Sequence, residues 1–392
     1  MSSRNKNWTY SLPAALLLLA PFDILASLAM DIYLPVVPHM PAALGTSPGV
    51  IQMTLSLYML ILGAGQLLFG PLSDRAGRRP VLLGGALLFA LSSLLLAATS
   101  SASAFVALRL LQAAGASAAL VATFATVRDV YATRPESAVI YSLLGAILSF
   151  VPALGPIAGA LIADHFGWRM IFTVLGAMML VAIINAFAGW HETRPATAAS
   201  TVIDVRPILA SGTFWTYTIG SSAALGSFFV FFSTAPRVLI EKAGLSQMAF
   251  SLSFATAAIV MIAAARFAGR LVRVWGTAGS LARGMGLLLL GALLLALGEF
   301  FLAPSFVSFV LPMWVISAGI VLIMAVTANG ALAAFGYKAG TAVALYSCIQ
   351  SLIVVVAGTA FVLLLNDETA WPLASYCTAS AAVTLIALRR IC

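Results

Sequence analysis

Runs of about twenty apolar residues, separated by short polar breaks, follow one another along almost the whole chain, and such runs match the thickness of a bilayer. Inside a bilayer the backbone must satisfy its own hydrogen bonds, so each run reads as a helix. Hydropathy places twelve, at 13–36, 48–69, 81–99, 105–127, 138–163, 169–190, 212–235, 248–268, 279–300, 306–330, 341–364 and 371–388. Of the 392 residues, 62% are hydrophobic and 8% charged, where a soluble domain would carry roughly a quarter charged residues. No extramembrane domain fits. The expected fold is an all-α polytopic membrane protein. Its longest break, 191–211, holds His191, Glu192, Arg194, Pro195, Asp204, Arg206 and Pro207, and reads as a linker between an N-terminal six-helix bundle (1–190) and a C-terminal one (212–392).

The net charge of +8 invites a nucleic-acid partner, but its distribution excludes one. With both termini in the cytoplasm, all but four of the 20 basic residues fall on the cytoplasmic side; Arg169, Arg237 and Lys242 lie outside and Arg109 within a span. That asymmetry is the positive-inside rule. Arg4 and Lys6 precede an apolar run that continues past Asp23 to Pro38, so the first helix is expected to be retained rather than cleaved as a signal peptide. Cys348, Cys377 and Cys392 offer neither a disulfide framework nor metal spacing. The three histidines, His39, His165 and His191, fall in predicted loops without nucleophile or metal spacing, and no phosphate-cradling glycine loop is present. No catalytic site, metal or cofactor is expected.

Charges inside a bilayer are costly and mark function or pairing. The N-terminal half has three, Asp23, Asp31 and Arg109; the C-terminal half has only Glu299, near a helix end, which reads as a snorkelling residue. Asp23 and Asp31 are eight residues apart on the first helix, about 12 Å along its axis and about 80° around it, so one broad face presents both to a central cavity. Arg109 enters the fourth helix at the depth of Asp31. An apolar cavity favours the protonated form of a carboxylate and a nearby arginine the charged form. A carboxylate cycling between the two supports proton coupling, with the proton as coupling ion; static ion pairs fixing helix packing are the other reading. Tyr33, Tyr58, Tyr217, Phe228, Phe231, Tyr346 and Gln350, with Asp23, are candidates for lining a small-molecule site.

The stretch from Gly70 to Leu82 places Asp74, Arg75, Arg78 and Arg79 between two uncharged apolar runs, with Gly70 and Gly77 permitting tight turns. Asp74 can accept from an arginine or a helix N-terminus and so latch two helices. Gly269 and Gly276 repeat the spacing of Gly70 and Gly77, and Pro236 stands to its half as Pro35 does to the first, although no acid matches Asp74. The halves are a degenerate repeat, as transporter folds often show.

The Gly70–Arg79 stretch resembles the loop between helices 2 and 3 of the major facilitator superfamily, G-x-L-x-D-R-x-G-R-R/K, in every element. Arg109 and Gln112 match that superfamily's fourth-helix pattern, with Ala113 where a glycine is expected. The fifth helix, with Gly145, Pro152, Gly155, Pro156 and Gly159, resembles the signature of its drug/proton antiporters, with Ala160 replacing the last glycine. The stretches Pro21–Ser27, Met30–Pro38, Ala125–Tyr131, Trp190–Pro195, Phe228–Pro236, Thr327–Gly330 and Ala370–Pro372 resemble the chloramphenicol/florfenicol exporters. The resemblance implies two six-helix bundles rocking about a midplane site. It implies proton-coupled efflux of amphenicols across the bacterial inner membrane by a monomer, conferring resistance, with Asp23 and Arg109 functional. A broader multidrug antiporter and an uptake symporter on the same fold are the alternatives.

Overall fold

A chain surrounded by hydrocarbon has no water to complete its backbone hydrogen bonds, and this one closes them in long helices. The computed structural model describes residues 8, 10–131, 136–194 and 205–390. The first six helices are α1 (Leu12–Asp31), α2 (Pro48–Ala76), α3 (Arg78–Ala98), α4 (Ala102–Tyr131), α5 (Glu136–Phe166) and α6 (Trp168–Gly189). Next come α7 (Gly212–Pro236) and a continuous helical run Gln247–Phe301, which breaks at Gly276 into α8 (247–275) and α9 (277–301). The chain ends with α10 (Leu311–Leu332), α11 (Ala339–Leu364) and α12 (Trp371–Arg389). These correspond to the twelve apolar runs. No strand occurs among the described residues.

Several helices outlast the hydropathy signal. The second run, expected over 48–69, continues helically to Ala76, because the charged turn 70–76 simply carries the helix beyond the hydrocarbon. Gly77 (φ 107°) then turns the chain directly into α3, a backbone region closed to side-chain-bearing residues. Gly276 (φ 68°) does the same between α8 and α9. The correspondence extends to the other end of α2 and α8. Left-handed Gly45 and Gly244 precede them, and Ser47 and Ser246 cap them by accepting from the amides of Val50 and Ala249. Each pair is 199 residues apart, so the weak repeat of the sequence is a repeat of backbone breaks and caps.

Small residues set the close crossings. A Cβ on Gly85 would meet the Gly115 carbonyl, so α3 and α4 pack backbone to backbone there; Gly284 and Gly319 do the same for α9 and α10. The glycine that brings the fourth helix close is therefore Gly115, and Ala113 is merely buried. The two halves meet along α5–α8 and α2–α11. Ala153 and Ile157 of α5 pack on Ala255 and Ala258 of α8, and Ser251 Oγ donates to the Pro156 carbonyl at 2.9 Å. Gly63 of α2 seats Ser351 of α11, and Thr359 Oγ1 donates to Ser56 Oγ at 2.7 Å. All these contacts lie from mid-depth outward to the end opposite the Arg75–Arg79 cluster. Toward the arginine end, Gly145, Ser149 and Phe150 of α5 and Arg266, Arg270 and Arg273 of α8 are exposed.

Two expectations are corrected. His165 sits in the last turn of α5 rather than in a loop. Glu299 does not snorkel: its Oε2 accepts from the Ala370 amide at 2.9 Å, capping the start of α12. Residues 195–204 of the expected linker, and Arg4, Lys6, Arg134 and Cys392, lie outside the described residues.

Candidate functional site

Asp23 and Asp31 are both buried, 2% and 6% exposed. Asp23 Oδ2 has no hydrogen-bond partner, which is unusual for a carboxylate oxygen shut away from water. Asp31 sits where α1 crosses α5: a Cβ on Gly155 would lie 2.8 Å from the Asp31 Cβ, and one on Gly159 would meet the Ile32 carbonyl. Two glycines of the fifth-helix signature are thus the surface on which the acidic helix rests. Gly145, the first glycine of that signature, faces open space. Helix α5 continues through both Pro152 and Pro156.

Arg109 does not pair with Asp31 as depth alone suggested. Its Nη1 donates to Gln112 Oε1 at 2.6 Å and to the Ala29 carbonyl at 3.1 Å, while Nε and Nη2 are buried without partners. Gln112 Nε2 passes the chain on to Ser93 Oγ at 2.8 Å. The guanidinium lies 4.5 Å from the ring centre of Tyr58, 5.1 Å from Tyr33 and 6.0 Å from Phe172, so aromatic faces rather than a carboxylate hold the cation. Tyr58 Oη donates to the Ala26 carbonyl at 2.8 Å. Arg109 and Tyr58 therefore both grip α1 on the turns between Asp23 and Asp31.

The other proposed wall residues do not gather in one place. Tyr33 and Tyr58 belong to this aromatic box. Phe231 stacks on Phe254 (5.0 Å) and Phe309 (5.7 Å) within the second half, with Phe228 beside Phe254 at 6.1 Å. Tyr217 packs on Gly330. Tyr346 and Gln350 lie one turn apart on α11; Tyr346 Oη donates to Thr327 Oγ1 at 3.3 Å, and Gln350 Nε2 is buried without a partner. Gln350 lies near Asp23 in depth. Tyr58 is level with Ala26 through its hydrogen bond, so Asp23 lies about 4.5 Å and Gly63 about 7.5 Å toward the arginine end. Ser351 rests on Gly63, which leaves Gln350 within about 5 Å of Asp23 in depth.

At the arginine end, the sequence identified half of a latch. Arg78, 2% exposed, donates to Asp74 (2.5 Å) and, through Nε, to Asp129 (2.7 Å) of α4. Glu192 accepts from the amides of Arg78 (2.9 Å), Arg79 (3.2 Å), Thr193 (3.1 Å) and Arg194 (2.9 Å), so it caps α3 from beyond the end of α6. Partial burial would raise its pKa and favour the neutral form, but the amides of Arg194, Arg78, Arg79 and Thr193 outweigh that and hold the pKa below its ordinary value. Arg194 donates to the Arg75 carbonyl, and Arg79 Nη2 to the Phe187 carbonyl at 2.9 Å. A Cβ on Gly70 would meet nothing within 4 Å. Asp129 and Glu192 were absent from the site read from the sequence. Both fall in stretches that carried the family resemblance, Ala125–Tyr131 and Trp190–Pro195, and that was the available signal for them.

The family model described as Major Facilitator Superfamily matches residues 20–358. A chloramphenicol resistance protein of Pseudomonas aeruginosa is 51% identical over 387 residues, covering 98% of this chain and 92% of that protein. Multidrug resistance protein D of Escherichia coli K12 is 28% identical over 340 residues, covering 86% of this chain and 85% of its own. A peptide transporter solved in complex with alafosfalin superimposes with a TM-score of 0.79 over 99% of this chain and 96% of that one, at 14% identity, a likeness of fold. The chain is a multi-pass membrane protein and belongs to the major facilitator superfamily of transporters.

Proposed function

We propose that this protein exports amphenicol antibiotics, chloramphenicol first among them, across the bacterial inner membrane in exchange for protons. Both termini and the arginine end face the cytoplasm, and the bundles 1–190 and 212–392 rock against each other around a midplane site. The observation that carries the coupling is the Asp23 carboxylate: buried at mid-depth, one oxygen unpartnered, on a helix gripped by Arg109 and Tyr58. The 51% identity to a chloramphenicol resistance protein over nearly the full chain supports the substrate. Asp23 releases its proton when the site opens inward, drug binds, and reprotonation from outside drives release. Gln350, at similar depth across the cleft, supplies a free amide donor to a drug oxygen. Asp31, at the α1–α5 crossing, relays protons to the outer side, and Arg109 orients α1. One proton crossing about 150 mV liberates roughly 3.5 kcal/mol, enough for a drug gradient of about 300-fold.

The test is accumulation of labelled chloramphenicol in expressing cells with and without a protonophore, beside Asp23→Asn, Asp31→Asn and Gln350→Ala at matched membrane expression. Low accumulation that rises on collapsing the gradient and in Asp23→Asn is expected. Accumulation unaffected by the protonophore would refute proton coupling; accumulation equal to that of empty cells would remove amphenicols. Florfenicol, tested in the same way, is expected to behave like chloramphenicol.

A further inference from the structure

The repeat of backbone breaks leaves the two halves unequal in charge at the arginine end. In the first half Arg78 is neutralised by Asp74 and Asp129, and Glu192 sits on the neighbouring amides. In the second half the position equivalent to Asp74, 199 residues on, is Arg273. The second half has four acids, Glu241, Glu299, Asp367 and Glu368, and all are at the far end. There Arg237 bonds Asp367 and Glu368, Lys242 bonds Glu368, and Glu299 caps α12. Arg283, by contrast, is exposed near the start of α9 at the arginine end. Its described partners are the Gly279 carbonyl at 3.2 Å and the face of Trp275, 4.8 Å from the ring centre.

Arg283 also heads a groove. A cavity of about 610 Å³ runs between α8, α9 and α10, lined along α8 by Ala264, Phe267, Ala268, Leu271 and Trp275, and closed by Leu287, Leu290 and Val321. Among the described residues, Arg283 is the one charged residue that lines it. The α8 stripe lies on the opposite side of that helix from Ser251, Ala255 and Ala258, which pack on the first half, so the groove opens to the lipid. Phe267 is 62% exposed and Leu290 46% exposed on its rim. From Trp275 to Ala264 the groove extends about 16 Å, close to the thickness of one leaflet of hydrocarbon, about 15 Å. Arg266, Arg270 and Arg273 point to the other side of α8 and take no part.

A groove one leaflet deep, apolar along its length, with a tryptophan and an arginine that has no acid partner among the described residues at the headgroup end, fits one class of molecule. We propose that it binds one anionic glycerophospholipid, with an acyl chain along the Ala264–Trp275 stripe and the phosphate on Arg283. A headgroup that retains a net negative charge supplies what the missing acids do not, and basic pockets between helices at a membrane surface recognise such lipids. The lipid bridges α8 and α9 across the break at Gly276.

The experiment is native mass spectrometry of the full-length protein, purified and delipidated, titrated with phosphatidylglycerol or phosphatidylcholine of identical chains. One tightly held phosphatidylglycerol, bound several-fold more strongly than phosphatidylcholine, is expected. Arg283→Gln should abolish that preference and Arg283→Lys keep most of it. Gly286→Leu should displace both lipids, because Gly286 lines the groove and a Cβ there meets nothing within 4 Å, so the side chain takes up groove space. Equal binding of the two lipids by the wild type, or an undiminished preference in Arg283→Gln, would overturn the assignment. Unchanged binding in Gly286→Leu would overturn the placement of the chain. Unaltered elution and Tm of each variant exclude misfolding as the cause.

Discussion

Adding a single methyl group to the fifth helix should separate its glycines sharply. At Gly159 a Cβ would lie 2.8 Å from the Ile32 carbonyl carbon, 3.3 Å from its Cα, and closer still to its oxygen. These are backbone atoms of the residue that caps α1, so no rotamer change relieves the clash and the two helices must part by about 1.4 Å to restore ordinary contact distances, the carbonyl oxygen included. Overpacking of this kind costs about 1–3 kcal/mol, and the rigid neighbour argues for the upper half of that range. Gly→Ala in a helix interior returns up to about 1 kcal/mol through propensity. Gly159→Ala should therefore be destabilised by about 1–2 kcal/mol. At Gly145 nothing lies within 4 Å, so Gly145→Ala keeps the propensity gain alone and should be neutral or stabilised by up to about 1 kcal/mol. Unfolding of the two purified variants in one detergent, followed by Tm, measures the contrast. Equal Tm values, or a lower one for Gly145→Ala, would refute the claim that Gly159 is the contact on which α1 rests.

Two further outcomes follow from the site. Glu192→Ala should destabilise the protein by about 1–2 kcal/mol, as for loss of a good helix cap, and Glu192→Gln by less, since the amide oxygen still accepts. Because the Glu192 carboxyl is held below its ordinary value of 4.5, its contribution is complete at neutral pH and is lost as pH falls through the lower, folded-state value. The gap in Tm between wild type and Glu192→Gln should therefore close below about pH 4.5 and stay constant above it; a gap that widens on acidification would contradict the assignment. Arg109→Lys should fail to restore the export lost in Arg109→Ala, because an ammonium lacks the planar face that lies over Tyr58 and Tyr33 and the reach to both Gln112 and Ala29. Drug accumulation at matched expression measures this, and full export by Arg109→Lys would sink it.

The order of twelve helices, their type and the position of Asp23, Asp31 and Arg109 within spans were all readable from the chain, because hydrocarbon imposes a one-dimensional rule: enough apolar residues in a row must cross as a helix. The turn at Gly77 and its echo at Gly276 were readable as well, since glycine spacing survives where side chains diverge. Partnership was not. Hydropathy gives depth but not rotation about the helix axis, so Arg109 and Asp31 at similar depth looked like a pair. The tertiary packing instead turned the arginine onto two tyrosines, with no acid bonded to it among the described residues. Asp129 and Glu192 join Arg78 from 51 and 114 residues away, a proximity that no local pattern encodes. The aromatic wall residues scattered for the same reason: composition makes every span apolar on most faces, and only the crossing of helices decides which ring meets which cavity.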